Sequence, residues 1–147
     1  MDILIKKIKM EKTLITNTIV LDSNQESINK VTSYIDAIYS SSENDISDTY
    51  GNVIIAITEA VNNAINHGNK EDPSKKVTVS YKKSIENISF TIEDEGEGFD
   101  FENVPDPTDP ENLHKLNGRG IFLMKNLVDD IHFHENGKKI ELIFKTA

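Results

Sequence analysis

Apolar residues recur along this chain in two rhythms, at every second position in some stretches and at every third or fourth in others. Residues 12–20, dominated by Thr, Ile and Val, read as a strand. Ser23-Asn24-Gln25-Glu26 has the Ser-x-x-Glu form of a helix capping box, and Ile28, Val31, Ile35 and Ile38 follow at helical spacing. A second helix is expected from about Ser47 to His67, with Gly68 as its C-terminal cap. At 100° per residue Ile54, Ile57, Val61, Ala64 and Ile65 fall on one side of it, while Glu59, Asn63 and Asn66 share a narrow arc opposite. Val77, Val79 and Tyr81 then alternate, as do Ile88, Phe90 and Ile92, which predicts two strands joined near Lys83-Ser84. Helical spacing returns at Ile121, Met124, Leu127 and Val128. The chain closes as a hairpin, with Ile131 and Phe133, a turn at Glu135-Asn136-Gly137, and Ile140, Leu142 and Phe144.

Between the third strand and the third helix the pattern stops. Residues 101–117 carry three of the four prolines, Pro105, Pro107 and Pro110, and hold neither period. Connections above about 12 to 15 residues are uncommon in a compact domain and are often functional lids. The order strand, helix, helix, strand, strand, lid, helix, strand, strand predicts an α+β two-layer sandwich. Its helices lie on one face of an antiparallel or mixed sheet, taken here as mixed.

The chain has 147 residues, a length that suits one domain over 1–147. No apolar run reaches the roughly 18 to 20 residues of a membrane span, and Met1 to Lys7 is too short and too quickly charged for a signal peptide. With no cysteine, disulfides, thiolate zinc sites and cysteine nucleophiles are excluded, and a cytoplasmic setting is expected. Sixteen basic against 25 acidic residues give a net charge of −9, which argues against nucleic acid as a direct ligand. An anionic small ligand would need locally placed donors or a metal ion.

Three short segments offer those donors. Glu59 and Asn63 lie one helical turn apart, so a carboxylate can accept a proton while an amide oxygen ligates a hard cation such as magnesium. The same pair could also be an exposed pair on an amphipathic helix. Asp94-Glu95-Gly96-Glu97-Gly98 follows a strand, so Asp94 can accept a hydrogen bond from an exocyclic amine while Gly96 and Gly98 admit a planar ligand; an acidic turn is the plainer alternative. Asn117-Gly118-Arg119-Gly120 runs into a helix, where free N–H groups and the positive dipole end suit phosphates; a hinge is the alternative. His132 and His134 alternate on a strand without a third metal ligand in view and read as solvent-facing. His114, in the lid, and His67, at a helix end, have no role fixed by spacing.

Taken in order, these segments resemble the N, G1 and G2 boxes of the GHKL (histidine-kinase-like) ATPase superfamily over roughly Ile46 to Phe144. Glu59 to Gly68 is most similar to the E-A-x-x-N-A-x-x-H-[GA] box of the bacterial anti-sigma-factor serine/threonine kinases. That resemblance implies a Bergerat-type fold holding ATP and Mg2+ under a lid at about 101–117. It implies Glu59 as catalytic base, Asn63 as magnesium ligand and Asp94 as reader of the adenine amine. Gly96 and Gly98 would then shape the adenine pocket, with Lys115, Gly118, Arg119 and Gly120 against the phosphates. The implied partners are a sigma factor, an anti-anti-sigma (STAS-type) protein that receives the phosphate, and a second copy of the chain in a homodimer. Two positions depart from the pattern: Leu116 stands where some of these kinases carry Arg, and Lys138 follows Gly137 where Thr is common. The alternative is a nucleotide-gated partner-binding module without phosphotransfer. A detached sensor histidine kinase domain and a topoisomerase-type ATPase core fit less well, for want of a phospho-acceptor helix pair and a transducer domain.

Overall fold

The computed structural model describes residues 13–41, 46–100 and 119–146. Five strands form one sheet in the order β1-β2-β3-β5-β4: β1 Thr13–Asp22, β2 Lys76–Ser84, β3 Asn87–Glu93, β4 Asp130–His134 and β5 Lys139–Lys145. Three helices complete the fold: α1 Glu26–Ser41, α2 Tyr50–Asn63 and α3 Arg119–Leu127. The α+β two-layer expectation and the element order hold.

The mixed sheet does not. All four strand pairings are antiparallel. The crossover through α3 returns β4 in the same direction as β3, but the β4–β5 hairpin folds β5 into the space between them. Two strands of like direction are thereby kept apart, and each hydrogen-bonded neighbour runs the opposite way.

Register aligns the alternating apolar positions into rows across the sheet. Ile19, Val79, Ile92, Ile140 and Phe133 form one row, and Tyr81, Phe90, Leu142 and Ile131 the next. The helices cover this face with Val31 and Ile35 of α1, Val53, Ile57 and Val61 of α2, and Ile121 and Met124 of α3, all buried. Burying these side chains, at about 1.5–3 kcal/mol each for the larger ones, holds the layers together. It also fixes which side of α2 faces away from the sheet.

The Ser23 capping box is not formed as expected. The Ser23 hydroxyl instead donates to the Lys75 carbonyl at 2.6 Å and accepts from Asn69 Nδ2 at 2.9 Å, because β1 delivers it into a buried seam between chain segments rather than to the helix start.

Candidate functional site

α2 carries the site. After Asn63 the helix widens into a π turn, Ala64–Gly68, in which the Asn69 N–H reaches back five residues to the Ala64 carbonyl at 2.8 Å. Such widenings are rare and often mark functional positions. The wider turn moves the exit from the helix downstream, onto Lys70 and Glu71 with φ of 54° and 58°. Gly68 is therefore the last residue of the turn, with the cap one residue later at Asn69, rather than the C-terminal cap itself. Glycine is needed there for room, since a Cβ on Gly68 would lie 2.3 Å from Asp94 Oδ2.

Asp94 stands at the end of β3, where its N–H donates to the Lys138 carbonyl at 2.9 Å. Its Oδ1 accepts the Gly96 N–H at 2.8 Å. Burial pushes this carboxyl above its ordinary value. The Gly96 N–H and the Lys138 charge oppose that rise, adjacent Glu93 adds to it, and Lys75 opposes it. A Cβ on Gly96 would fall 1.9 Å from the Gly68 carbonyl oxygen, so the two backbones pack directly together. Gly98 has a φ of +87°, and the neighbouring Phe99 N–H donates to the Asn136 carbonyl at 2.8 Å. The hairpin turn after β4 thus supports the Asp94–Gly98 loop from outside.

At the other end of the site, α3 begins against α2. A Cβ on Gly120 would lie 2.9 Å from Asn63 Nδ2, 3.1 Å from Glu59 Oε2 and 3.4 Å from Asn63 Oδ1. Glu59 and Asn63 are both half-buried. Asn63 lies roughly 7 Å along the helix from Gly68 and Glu59 about 13 Å, at 1.5 Å per residue. α2 and its π turn therefore carry a carboxylate-and-amide end and, further along the axis, an aspartate-and-glycine end.

Of the expected site residues, Glu59, Asn63 and Gly120 come together, as do Asp94 and Gly96 with Gly68, while Gly98 shapes the loop. Lys115, Gly118, His114, Leu116 and the lid at 101–117 lie outside the described residues, as does the Arg119 side chain. Asn66 leaves the arc and accepts a hydrogen bond from Gln25 Nε2 at 3.0 Å, because the π turn rotates it away from Glu59 and Asn63. His132 and His134 are exposed beside Asp130 and Glu141, and the described residues contain no cluster of three metal-ligating side chains.

Sequence reasoning passed over Asn69. Buried at 1% exposure, it donates to Ser23 Oγ and the Lys76 carbonyl, both at 2.9 Å, and accepts the Glu95 N–H at 2.8 Å. One side chain ties β1's end, β2's start and the Asp94 loop to the exit of α2. Its partners lie far away in sequence, so no local period marks it.

The sequence profile of the histidine kinase-like ATPase domain matches residues 21–144. Similar proteins named serine-protein kinase RsbW come from Oceanobacillus iheyensis, 34% identical over 83 residues, and Staphylococcus aureus, 33% identical over 96. These alignments cover 52% and 60% of this chain, and the same shares of the two relatives, so the chain spans little more than half the length of the curated relatives it matches. The solved RsbU and RsbW domains of a Mycobacterium tuberculosis protein match its fold with a TM-score of 0.62 at 15% identity, over 89% of this chain and 32% of that one. Among the described residues no helix is long and apolar enough to cross a membrane. With the profile running from the end of β1 to the last strand, the chain belongs to the histidine kinase-like ATPase domain family.

Proposed function

We propose that this chain binds ATP with magnesium, transfers the γ-phosphate to a Ser or Thr hydroxyl of an anti-anti-sigma (STAS-type) partner, and holds a sigma factor. The reading places the protein in the cytoplasm, working as a homodimer. The observation that carries it is the convergence of Glu59 and Asn63 on Gly120, at the start of α3, with Asp94 against Gly68 where the π turn after α2 ends. The relatives named serine-protein kinases support phosphotransfer rather than nucleotide binding alone.

Asp94 accepts a hydrogen bond from the adenine exocyclic amine, a donor that opposes the rise in its pKa on burial. Gly68 and Gly96 let the backbone pack directly against Asp94, and so hold its carboxyl in place for the base. The residues also fit magnesium, a hard cation that prefers oxygen: Asn63 Oδ1 and Glu59 Oε2 lie within 3.4 Å of one point over Gly120. Asn63 is the ligand, and the metal when bound offsets phosphate charge that a protein of net charge −9 repels. The backbone N–H groups opening α3 add to that offset. Glu59 takes the proton of the partner hydroxyl as its oxygen bonds to the γ-phosphorus; the bond to the β-phosphate oxygen breaks and ADP leaves.

Incubation with γ-labelled ATP, magnesium and candidate anti-anti-sigma proteins tests this directly. Glu59→Gln keeps nucleotide and sigma-factor binding but loses about 10²- to 10⁴-fold in transfer rate, whereas Asn63→Ala loses magnesium-dependent affinity. An unmutated protein that binds nucleotide and a sigma factor yet labels no partner is a binding module instead.

A further inference from the structure

Asn62 stands between the two polar residues of α2 already described, three positions after Glu59 and one before Asn63, and its Oδ1 is shielded from solvent with no hydrogen-bond partner. No other side-chain atom among the described residues is in that state. A buried carbonyl oxygen left unpaired is costly, and in a native structure it calls for a reason. The core provides none. On the helical wheel Asn62 lies nearly opposite Val53, Ala60 and Ala64, which face the sheet, and 60° from Glu59.

The missing partner is a hydrogen-bond donor or a cation, because an amide oxygen offers only lone pairs. The hydroxyl of an incoming Ser or Thr has one proton, and Glu59 takes it. A magnesium ion held at Asn63 keeps several of its waters, and each carries protons to donate. We propose that Asn62 is a positioning residue of the nucleotide site, its Oδ1 reserved for a water on the metal that Asn63 ligates. Glu59, Asn62 and Asn63 then form a three-residue unit, with one member for the proton, one for the metal and one for the metal's water. The π turn beginning at Ala64 follows this unit directly, so the regular helix that sets the spacing ends with it. This rests on the magnesium-ATP reading above and adds to it a residue that sequence spacing did not single out.

The test measures ATP affinity by calorimetry with magnesium and with a chelator, alongside the melting temperature of the nucleotide-free protein. Asn62→Leu removes the orphan oxygen at similar volume. Its expected result is a melting temperature equal to or above that of the unmutated protein, with affinity down at least tenfold in magnesium and unchanged in the chelator. Asn62→Asp keeps an acceptor, and is expected to retain the magnesium-dependent affinity while melting lower without the metal and recovering when it is added. The Asp variant also covers the case in which the Leu variant fails to fold. Affinity within twofold of the unmutated protein in Asn62→Leu, or an equal loss with and without magnesium, overturns the role given to Asn62. An unmutated protein that gains no affinity from magnesium overturns the reading beneath it as well.

Discussion

Two glycines of the site, replaced by the same methyl group, should fail in opposite ways. In Gly96→Ala the new Cβ meets the Gly68 carbonyl oxygen at 1.9 Å and its carbon at 2.6 Å. Roughly 1.5 Å must be found against backbone in a close-packed region, at a cost of about 3 kcal/mol. For a domain near 150 residues that is a fall of about 6–12 °C in melting temperature. In Gly120→Ala the Cβ meets only the ends of two side chains, Asn63 Nδ2 at 2.9 Å and Glu59 Oε2 at 3.1 Å. These can move by tenths of an ångström, and the helix gains about 0.5–1 kcal/mol from losing a glycine. The variant should therefore melt within about 4 °C of the unmutated protein. The displaced atoms, however, are those that the proposed mechanism assigns to the proton and the metal, and a small misplacement there costs about 10- to 100-fold in transfer rate. Calorimetric melting beside a phosphotransfer assay separates the two cases. Gly96→Ala melting like the unmutated protein would refute the packing argument. Gly120→Ala transferring phosphate at the full rate would refute the placement of Glu59 and Asn63 under α3.

Three further outcomes follow from the same geometry. Asn69→Ala strands the Glu95 N–H and the Lys76 carbonyl, so chemical denaturation should show a loss of about 2–4 kcal/mol. Gly98→Ala imposes a Cβ at φ +87° and 2.1 Å from the Asn136 carbonyl oxygen; hydrogen exchange at the Phe99 amide, which bonds that oxygen, should accelerate. Asp94 binds its proton more tightly folded than unfolded, so its contribution to stability falls as pH rises from the ordinary carboxylate value through the raised one. On the proposed reading nucleotide needs the ionised form, so ATP affinity should weaken on acidification sooner than an ordinary aspartate would dictate. Asp94→Asn should flatten that dependence and weaken ATP by at least tenfold, about 1.4 kcal/mol; equal affinity for ATP and GTP in the unmutated protein would sink the adenine assignment.

Most elements were legible because one face of each is buried, and burial imposes its period on the sequence. Val77, Val79 and Tyr81 announce a strand for the same reason that they pack against Ile92 and Phe90. The contact between the two ends of the site was legible only through motif order, since nothing local in Gly120 states that Glu59 and Asn63 lie beneath it. Three differences share a cause. Local pattern makes Ser23 a cap, Gly68 a helix C-terminal cap and Asn66 a member of the polar arc, each from its immediate neighbours. Each is settled instead by contacts from elsewhere in the chain or by the wider turn after Asn63.

That π turn is the step that local rules miss, and it links fold to function. A regular helix continued to Gly68 would keep Asn66 on the arc of Glu59 and Asn63, giving three polar groups in line and no turn toward Asp94. Widening after Asn63 breaks that line. It sends Asn66 to Gln25 and brings Asn69 into the buried seam with Ser23 and Glu95. It also sets the Gly68 backbone against Gly96, with Asp94 alongside. The helix thus uses regular geometry where a carboxylate and two amides must hold fixed spacing, and irregular geometry where backbone must approach backbone. The small residues at Gly68 and Gly96 are what that second requirement looks like in sequence. They are legible as glycines, but their reason appears only once the helix exit and the end of β3 occupy the same few ångströms.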